Sequence, residues 1–270
     1  MRARGPVFES FSGATRVIFI VGDPIAQVKS PAGVTEALRS HGADAIVVPA
    51  HVAPAELASW VAAVGSMRNC DAILVTVPHK FAVLLLCHDI TPRARSIGAV
   101  NVMRRTAGGG WFGDMLDGSG YVAGLRRAGC EPAGKKVLLV GAGGAGSAIA
   151  HALVDAGVGS LAVHEADAER QATLLRKLAT YGPVLAMRGS ADPTGFEIVV
   201  NATPMGMKPG DVLPVDVEKL ARATFVGDVV TVPEVTPLIA AARARGCATM
   251  TGIGMFESVR DRIVDFLMSK

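Results

Sequence analysis

Three glycines and an acid nineteen residues beyond the last of them are the first chemistry legible in this 270-residue chain. In VLLVGAGGAGSAIA, Gly141, Gly143 and Gly146 follow a short apolar run and precede an apolar helical pattern, the context that a dinucleotide-binding turn requires. Gly141 permits the tight turn, Gly143 lets the backbone approach a pyrophosphate, and Gly146 lets the helix pack close to the strand. With Ala142, Gly144 and Ala145 they form a turn whose free N–H groups face an anion at the helix start. Glu165, in AVHEAD, accepts hydrogen bonds from ribose hydroxyls and repels a 2′-phosphate, which favours NAD over NADP. The bland readings are a turn that merely packs and a solvated glutamate. Three glycines in this register argue against the first, whereas acids after strands are common enough to keep the second open. His164 beside it is either close to an adenine or structural. A second candidate is Lys80, just past the apolar run DAILVTVP and next to His79. At a strand end a lysine is usually a solvated charge.

The surrounding pattern alternates strands and helices. RVIFIVGDP (16–24) reads as a buried strand, and SPAGVTEALRSHG (30–42) as a helix with Ser30 at the N-cap, Pro31 at N1 and Gly42 closing it. ADAIVVPA, APAELASWVAAVG and DAILVTVP continue as strand, helix and strand. This βαβαβ order implies right-handed crossovers and a mainly parallel sheet. Residues 88–117 predict a short helix and a hairpin turning at Thr106 to Gly110. GSGYVAGLRRAGCEPAGKK predicts a helix and a polar linker. A second α/β series starts at Lys136, with later strands in SLAVHEAD, EIVVNATP and TFVGDVV. The last segment spaces Phe256, Val259, Ile263, Phe266 and Leu267 at helical intervals, an amphipathic helix that must dock on a partner, with the first domain as candidate.

Half of the residues are hydrophobic, 19% are charged and 5% are aromatic, so the core rests on small aliphatic side chains, as in α/β layers. The length fits two modest domains. A net charge of +3, with basic residues scattered rather than clustered, argues against nucleic acid as a partner. Cys70, Cys87, Cys130 and Cys247 form no C-x-x-C pair, so neither a metal site nor a disulfide framework is expected, and a reduced cytosol is the simplest location. MRARGPVFESFSGATR is basic but has no apolar core, and the longest apolar run, FAVLLLC, is seven residues, so no signal peptide or membrane span is expected.

Several segments together resemble the shikimate/quinate dehydrogenase family: GDPIAQVKSP (22–31), VTVPHK (75–80), GAVN (98–101), GD-x-x-DG (113–118), VGAGGAG, NATPMGM (201–207), D-x-x-x-x-P-x-x-TPLI (228–239) and GIGM (252–255). They run in the family's order over nearly the whole chain. The resemblance implies an N-terminal α/β substrate domain, residues 1–117, completed by a C-terminal helix in 252–270. It also implies a Rossmann-type, doubly wound nucleotide domain at 118–251 and an active site in the cleft. Lys80 and Asp117 would flank the reacting hydroxyl, with substrate contacts at Ser30, Thr76 and Asn101. Further cofactor contacts are implied at Asn201, Thr203, Pro204, Met205, Val229 and Gly252. Taking hydride from a secondary alcohol leaves a hydroxyl proton that needs a positioned base. Desolvation favours a neutral Lys80 amine and a nearby Asp117 favours its ammonium, so the two form a coupled pair. Lys80 is then the proton shuttle and Asp117 its orienter and hydroxyl acceptor.

The chain departs from the family in the substrate pocket. The H-S-x-S element is Gln27, Val28, Lys29, Ser30, so the second serine alone remains. The Asn before VT is Leu74, the Asn and Thr before the catalytic acid are Met115 and Leu116, the Tyr after D-x-x is Thr231, and the Gln of the last helix is Val259. Each neutral hydrogen bond lost is worth about 0.5–1.5 kcal/mol. Three or four losses amount to about 10²- to 10⁴-fold in discrimination, enough to change the preferred substrate. Gln27 or Thr231 would supply some of the missing donors, while Lys29 is better read as solvated. On the cofactor side, Asn-Arg-Thr of the NADP-using members is His164, Glu165, Ala166. The expectation is an NAD-dependent dehydrogenase of a small cyclic hydroxy acid, of the shikimate or quinate type or less polar, working as a monomer or homodimer. A standard NADP-dependent shikimate 5-dehydrogenase and a nucleotide-binding regulatory protein without turnover are the alternatives. Retention of both Lys80 and Asp117 speaks against the latter.

Overall fold

The computed structural model describes residues 11–269, and the first ten residues, most of the segment read above for a signal peptide, lie outside it. Two compact units result: the chain up to Leu116 together with Arg260 onward, and Asp117–Val259.

In the first unit a six-stranded sheet is built from β1 (Arg16–Gly22), β2 (Ala45–His51), β3 (Cys70–Val75), β4 (Asp89–Ile90), β5 (Val102–Arg105) and β6 (Trp111–Asp114), in the order β2-β1-β3-β5-β6-β4. Its helices are α1 (Ser30–Ser40), α2 (Leu57–Gly65) and α3 (Pro92–Ile97). β1 pairs parallel with β2 and β3, whereas β5 runs antiparallel to β3 and β6. The carboxyl ends of β1, β3 and β6 and the amino end of β5 therefore share one edge of the sheet. The hairpin turns where the glycines predict, with Thr106 N–H on the Gly110 carbonyl at 2.8 Å. α1 starts one residue earlier than expected: the Lys29 carbonyl accepts the first helical bond from Gly33 at 3.1 Å, so Lys29 is the cap and Ser30 the first helical residue.

The second unit contains α4 (Asp117–Arg127), β7 (Lys136–Val140), α5 (Gly144–Asp155), β8 (Ser160–His164), α6 (Ala168–Tyr181) and β9 (Leu185–Arg188). It continues with β10 (Ile198–Asn201), β11 (Phe225–Asp228), α7 (Pro237–Ala244), β12 (Thr249–Met250) and α8, which spans Gly252–Met268. All its strands pair parallel in the order β12-β11-β10-β7-β8-β9, the doubly wound arrangement expected. Leu138, Leu139, Val163, Val199, Val200 and Val226 are buried, as central strands covered on both faces demand. The order reverses between β7 and β10, and a crevice for ligands lies outside the carboxyl ends of strands at such a switch point.

The division of α8 differs from the sequence expectation. Its first half counts with the second unit because small residues let it approach closely there: a Cβ on Gly252 would lie 2.1 Å from the Val230 carbonyl, and one on Gly120 2.4 Å from Val259. Its second half serves the first unit, where Phe266 stacks on Phe112 at 5.9 Å. The boundaries thus fall at 116/117 and 259/260 rather than at 117/118 and 251/252. Among the described residues no helix is long and apolar enough to cross a membrane, and no group of three His, Cys, Asp or Glu is placed to hold a metal.

Candidate active site

The edge defined by β1, β3, β5 and β6 collects the candidate residues of the first unit. Thr76 follows β3, its N–H on the Val21 carbonyl at 2.9 Å. A Cβ on Gly22 would meet Thr76 Cγ2 at 2.3 Å, so glycine lets the loop after β1 lie against it. His79, 1% exposed, is pinned by its ring Nε2 to the Val52 carbonyl at 2.8 Å. The next carbonyl, that of Lys80, accepts from Val100 N–H at 2.9 Å. Lys80 therefore stands, half-buried, on a turn fixed at His79 and at its own carbonyl. His79 carried no signal beyond adjacency, because its partner lies 27 residues back.

Asn101 is buried just before β5. Its N–H donates to the Asp114 carbonyl at 3.0 Å, and its side-chain oxygen accepts from Leu116 N–H at 2.9 Å. This shapes the connector from β6 to the buried Asp117, the first residue of α4. Ser30 opens α1, whose start has no side-chain cap. Gln27 is turned onto its own loop, donating to the Pro24 carbonyl at 2.9 Å, so it is not poised to replace a lost substrate contact. Leu74 and Met115 are 1% and 0% exposed, and the Val259 side chain packs against Gly120. These three positions, read above as pocket departures, carry buried apolar side chains. Val28 and Thr231 are half-buried and Lys29 is exposed. A separate cavity of about 410 Å³ between α1 and β2 is lined by Phe11, Pro31, Ala32 and residues 46–49, and takes in none of the candidate residues.

In the second unit the glycine turn connects β7 to α5. Gly141 has φ +104°, and a Cβ there would meet the Ala202 backbone at 2.9 Å. A Cβ on Gly146 would lie 2.1 Å from the Gly141 carbonyl, so the helix packs on the turn as a dinucleotide site requires. A Cβ on Gly143 would meet nothing within 4 Å, so that glycine borders open space where a pyrophosphate would need to approach. His164 contributes its carbonyl to the turn, accepting from Gly141 N–H at 2.7 Å. Glu165 accepts from Ala142 N–H at 2.8 Å and from Asp167 N–H at 3.1 Å, with Arg170 at 3.6 Å. It is a carboxylate braced beside the turn rather than a solvated one.

The segments after β10 and β11 form one network. Asn201 donates to the Met205 carbonyl at 3.1 Å and to Asp228 at 3.0 Å, and accepts from Thr203 N–H at 3.1 Å and from its hydroxyl at 2.6 Å. With 0% exposure and its amide engaged, Asn201 shapes the loop that carries Thr203, Pro204 and Met205. Val229 N–H donates to the Asn201 carbonyl at 3.1 Å, tying the two loops together. Gly252 likewise serves packing on Val230. Asp228 also accepts from Val230 N–H at 3.0 Å and from the Thr236 hydroxyl at 2.6 Å. Burial pushes its carboxyl up from the ordinary value, opposed by those donors. The motif D-x-x-x-x-P-x-x-TPLI contains both Asp228 and Thr236, and the structure adds that the two are bonded to each other.

A parallel sheet of this order with a glycine turn at its switch point, in a chain that also carries a second α/β unit, is the fold of a dinucleotide-dependent oxidoreductase. The family model described as the shikimate dehydrogenase substrate binding domain matches residues 20–103. The shikimate dehydrogenase (NADP(+)) of Acidiphilium cryptum (strain JF-5) is 39% identical over 244 residues, 90% of this chain and 87% of that protein. The ligand-free 5-ketofructose reductase of Gluconobacter sp. strain CHM43 superposes with a TM-score of 0.82 at 32% identity, covering 95% of this chain and 94% of that one. The quinate dehydrogenase from Corynebacterium glutamicum, solved in complex with NAD, gives a TM-score of 0.83 at 29% identity, covering 94% of each chain. This chain belongs to the shikimate/quinate dehydrogenase family. It is a shikimate dehydrogenase-like oxidoreductase with an NAD(P) cofactor.

Proposed function

We propose that this chain catalyses reversible hydride transfer between NAD and a small cyclic hydroxy acid of the shikimate or quinate type, or a less polar relative. Lys80 carries the hydroxyl proton and Asp117 orients Lys80 and accepts from the hydroxyl. The observation that supports this reading is that one short segment, residues 98–101, holds the backbone at Lys80 and just before Asp117. Val100 N–H holds the Lys80 carbonyl, and Asn101 holds the connector leading into Asp117. Bound NAD supplies the hydride acceptor. As the C–H pair leaves, the O–H electron pair forms the ketone and the proton passes to the Lys80 amine. The side-chain-uncapped start of α1 with Ser30 supports an acid group on the substrate, since free N–H groups at a helix start favour an anion. The braced Glu165 supports NAD, offering an acceptor to ribose hydroxyls and opposing a 2′-phosphate. Four free cysteines fit a reducing compartment such as the cytosol.

NADP is the second reading. The Acidiphilium cryptum relative is named for it, and Arg170 stands 3.6 Å from Glu165, a cation beside the place a 2′-phosphate would take. A spectrophotometric panel of NAD and NADP against shikimate, quinate and related hydroxy acids separates the two. The NAD reading expects a Michaelis constant for NAD about tenfold or more below that for NADP. It also expects Lys80→Ala to cut kcat by about 10²- to 10⁴-fold. Turnover that survives in Lys80→Ala would remove the lysine from the mechanism.

A further inference from the structure

We infer that Asp114 is a positioning residue that sets the place of Asp117, with Arg93 and Thr91 holding it to that task; the inference rests on Asp117 acting as proposed above. Asp114 ends β6 and is 3% exposed. One carboxylate oxygen accepts from the Thr91 hydroxyl at 2.6 Å, from Arg93 Nε at 3.1 Å and from Met115 N–H at 2.7 Å. The other oxygen pairs with the second arm of the Arg93 guanidinium. A carboxylate so far removed from water persists when its charge is matched and its lone pairs are used, and a two-pronged arginine meets both conditions.

Every one of these bonds, or its neighbour along the backbone, bears on the same three-residue connector. Thr91 N–H donates to the Gly113 carbonyl at 3.0 Å, and Asn101 N–H to the Asp114 carbonyl at 3.0 Å. Met115 N–H turns back to the Asp114 side chain, and Leu116 N–H goes to Asn101. The residue that follows is Asp117, so three consecutive positions before it have their backbone direction fixed. Arg93 and Thr91 belong to α3 and its cap, where Thr91 also accepts from Ala94 N–H at 3.1 Å. The start of α3 thereby acts as a rigid stop against which the connector is set. A turn needed for the fold alone is served as well by an apolar residue in this buried place. A paired charge here makes sense where the direction of the next acid matters.

The test is a mutant cycle read by steady-state kinetics on the intact protein, with thermal melting alongside. Asp114→Asn keeps the shape but loses the charge that Arg93 grips. We expect kcat to fall by about 10- to 100-fold, the scale of small misplacements of catalytic groups. The Michaelis constant for the nucleotide should change by less than about twofold. In an Asp117→Asn background the same change should cost less than about threefold, because a residue acting through Asp117 has nothing left to act on. Arg93→Lys, which keeps the charge without the fork, should fall between wild type and Asp114→Asn. Equal losses from Asp114→Asn in both backgrounds, or wild-type kcat in Asp114→Asn, overturns the inference. Wild-type kcat in Asp117→Asn instead overturns the reading of the site on which it rests. Should Asp114→Asn not fold, Thr91→Val removes one donor from the same oxygen and gives the same comparison.

Discussion

Asp228 shows how a buried acid at the end of a central strand serves a site it does not touch. Its three donors come from Asn201, Val230 and Thr236, so the loops after β10 and β11 and the start of α7 meet on one carboxylate. Burial raises its proton affinity in the folded chain above the ordinary carboxylate value, about 3.9 in an unfolded one. The folded state then binds this proton more tightly than the unfolded state. Its contribution to stability is full below the ordinary value and is lost as pH rises through the raised one. Melting curves of wild type and Asp228→Asn across acid to neutral pH should therefore show the wild-type advantage shrinking as pH rises, then levelling. At the cofactor end, Glu165→Ala should shift the ratio of Michaelis constants toward NADP by about tenfold, because it removes both the ribose acceptor and the charge that opposes a phosphate. Kinetics with the two nucleotides check it. Gly141 and Gly146 are legible because each works through its backbone conformation or close packing, and Glu165 through its place after a strand, whereas Lys80 is singled out by the family resemblance. Asn201, Asp114 and His79 stand inside the motifs quoted above, but the bonds they make are not legible, since their partners at Asp228, Arg93 and Val52 stand 21 to 27 residues away.

The helix that begins with Asp117 is set by its glycines. A Cβ on Gly118 would fall 2.0 Å from the Ala148 carbonyl of α5, and one on Gly124 would fall 2.7 Å from the Met250 sulfur. α4 thus lies against the helix that leaves the nucleotide turn, which gives the glycine of GD-x-x-DG a packing reason. For Gly118→Ala, intrinsic helix propensity favours alanine by about 0.5–1 kcal/mol. Forcing α4 away from a backbone carbonyl costs about 1–3 kcal/mol or more, so the steric cost wins. Chemical denaturation should show a net loss of stability, and kcat should fall with it because Asp117 is the preceding residue. Apart from β4, the elements themselves followed periodicity and turn chemistry well from β1 through the hairpin to β8. β4, β9 and β12 are not legible for a physical reason: β9 has exposed Leu185 and Met187, β4 and β12 are two residues long, and none has the buried apolar run of a central strand. The one-residue shift at α1 arises because the Lys29 carbonyl already accepts a helical bond, which no side-chain preference at Ser30 reveals.

At the scale of the molecule, the chain makes two compact units, and the glycine turn with Glu165 lies wholly in the second. Nucleotide binding should therefore stabilise that unit first. At a hundredfold excess over its dissociation constant, NAD adds about 2.7 kcal/mol to whichever folded unit binds it. Calorimetry should show the transition of residues 117–259 moving up with NAD, while that of the first unit responds to a hydroxy-acid substrate. A shift of both by NAD alone would place nucleotide contacts outside the turn. The shared helix α8 also sets a timetable. Phe266, which stacks on Phe112 and carries Arg104 over its ring at 5.3 Å, follows Phe112 by more than 150 residues. On the ribosome the strands of the first unit emerge early, and Phe112 gains its stacking partner only after the whole of the second unit has been synthesised. The unit that begins the chain is the last to be completed, because its final helix segment, Arg260 onward, is synthesised last.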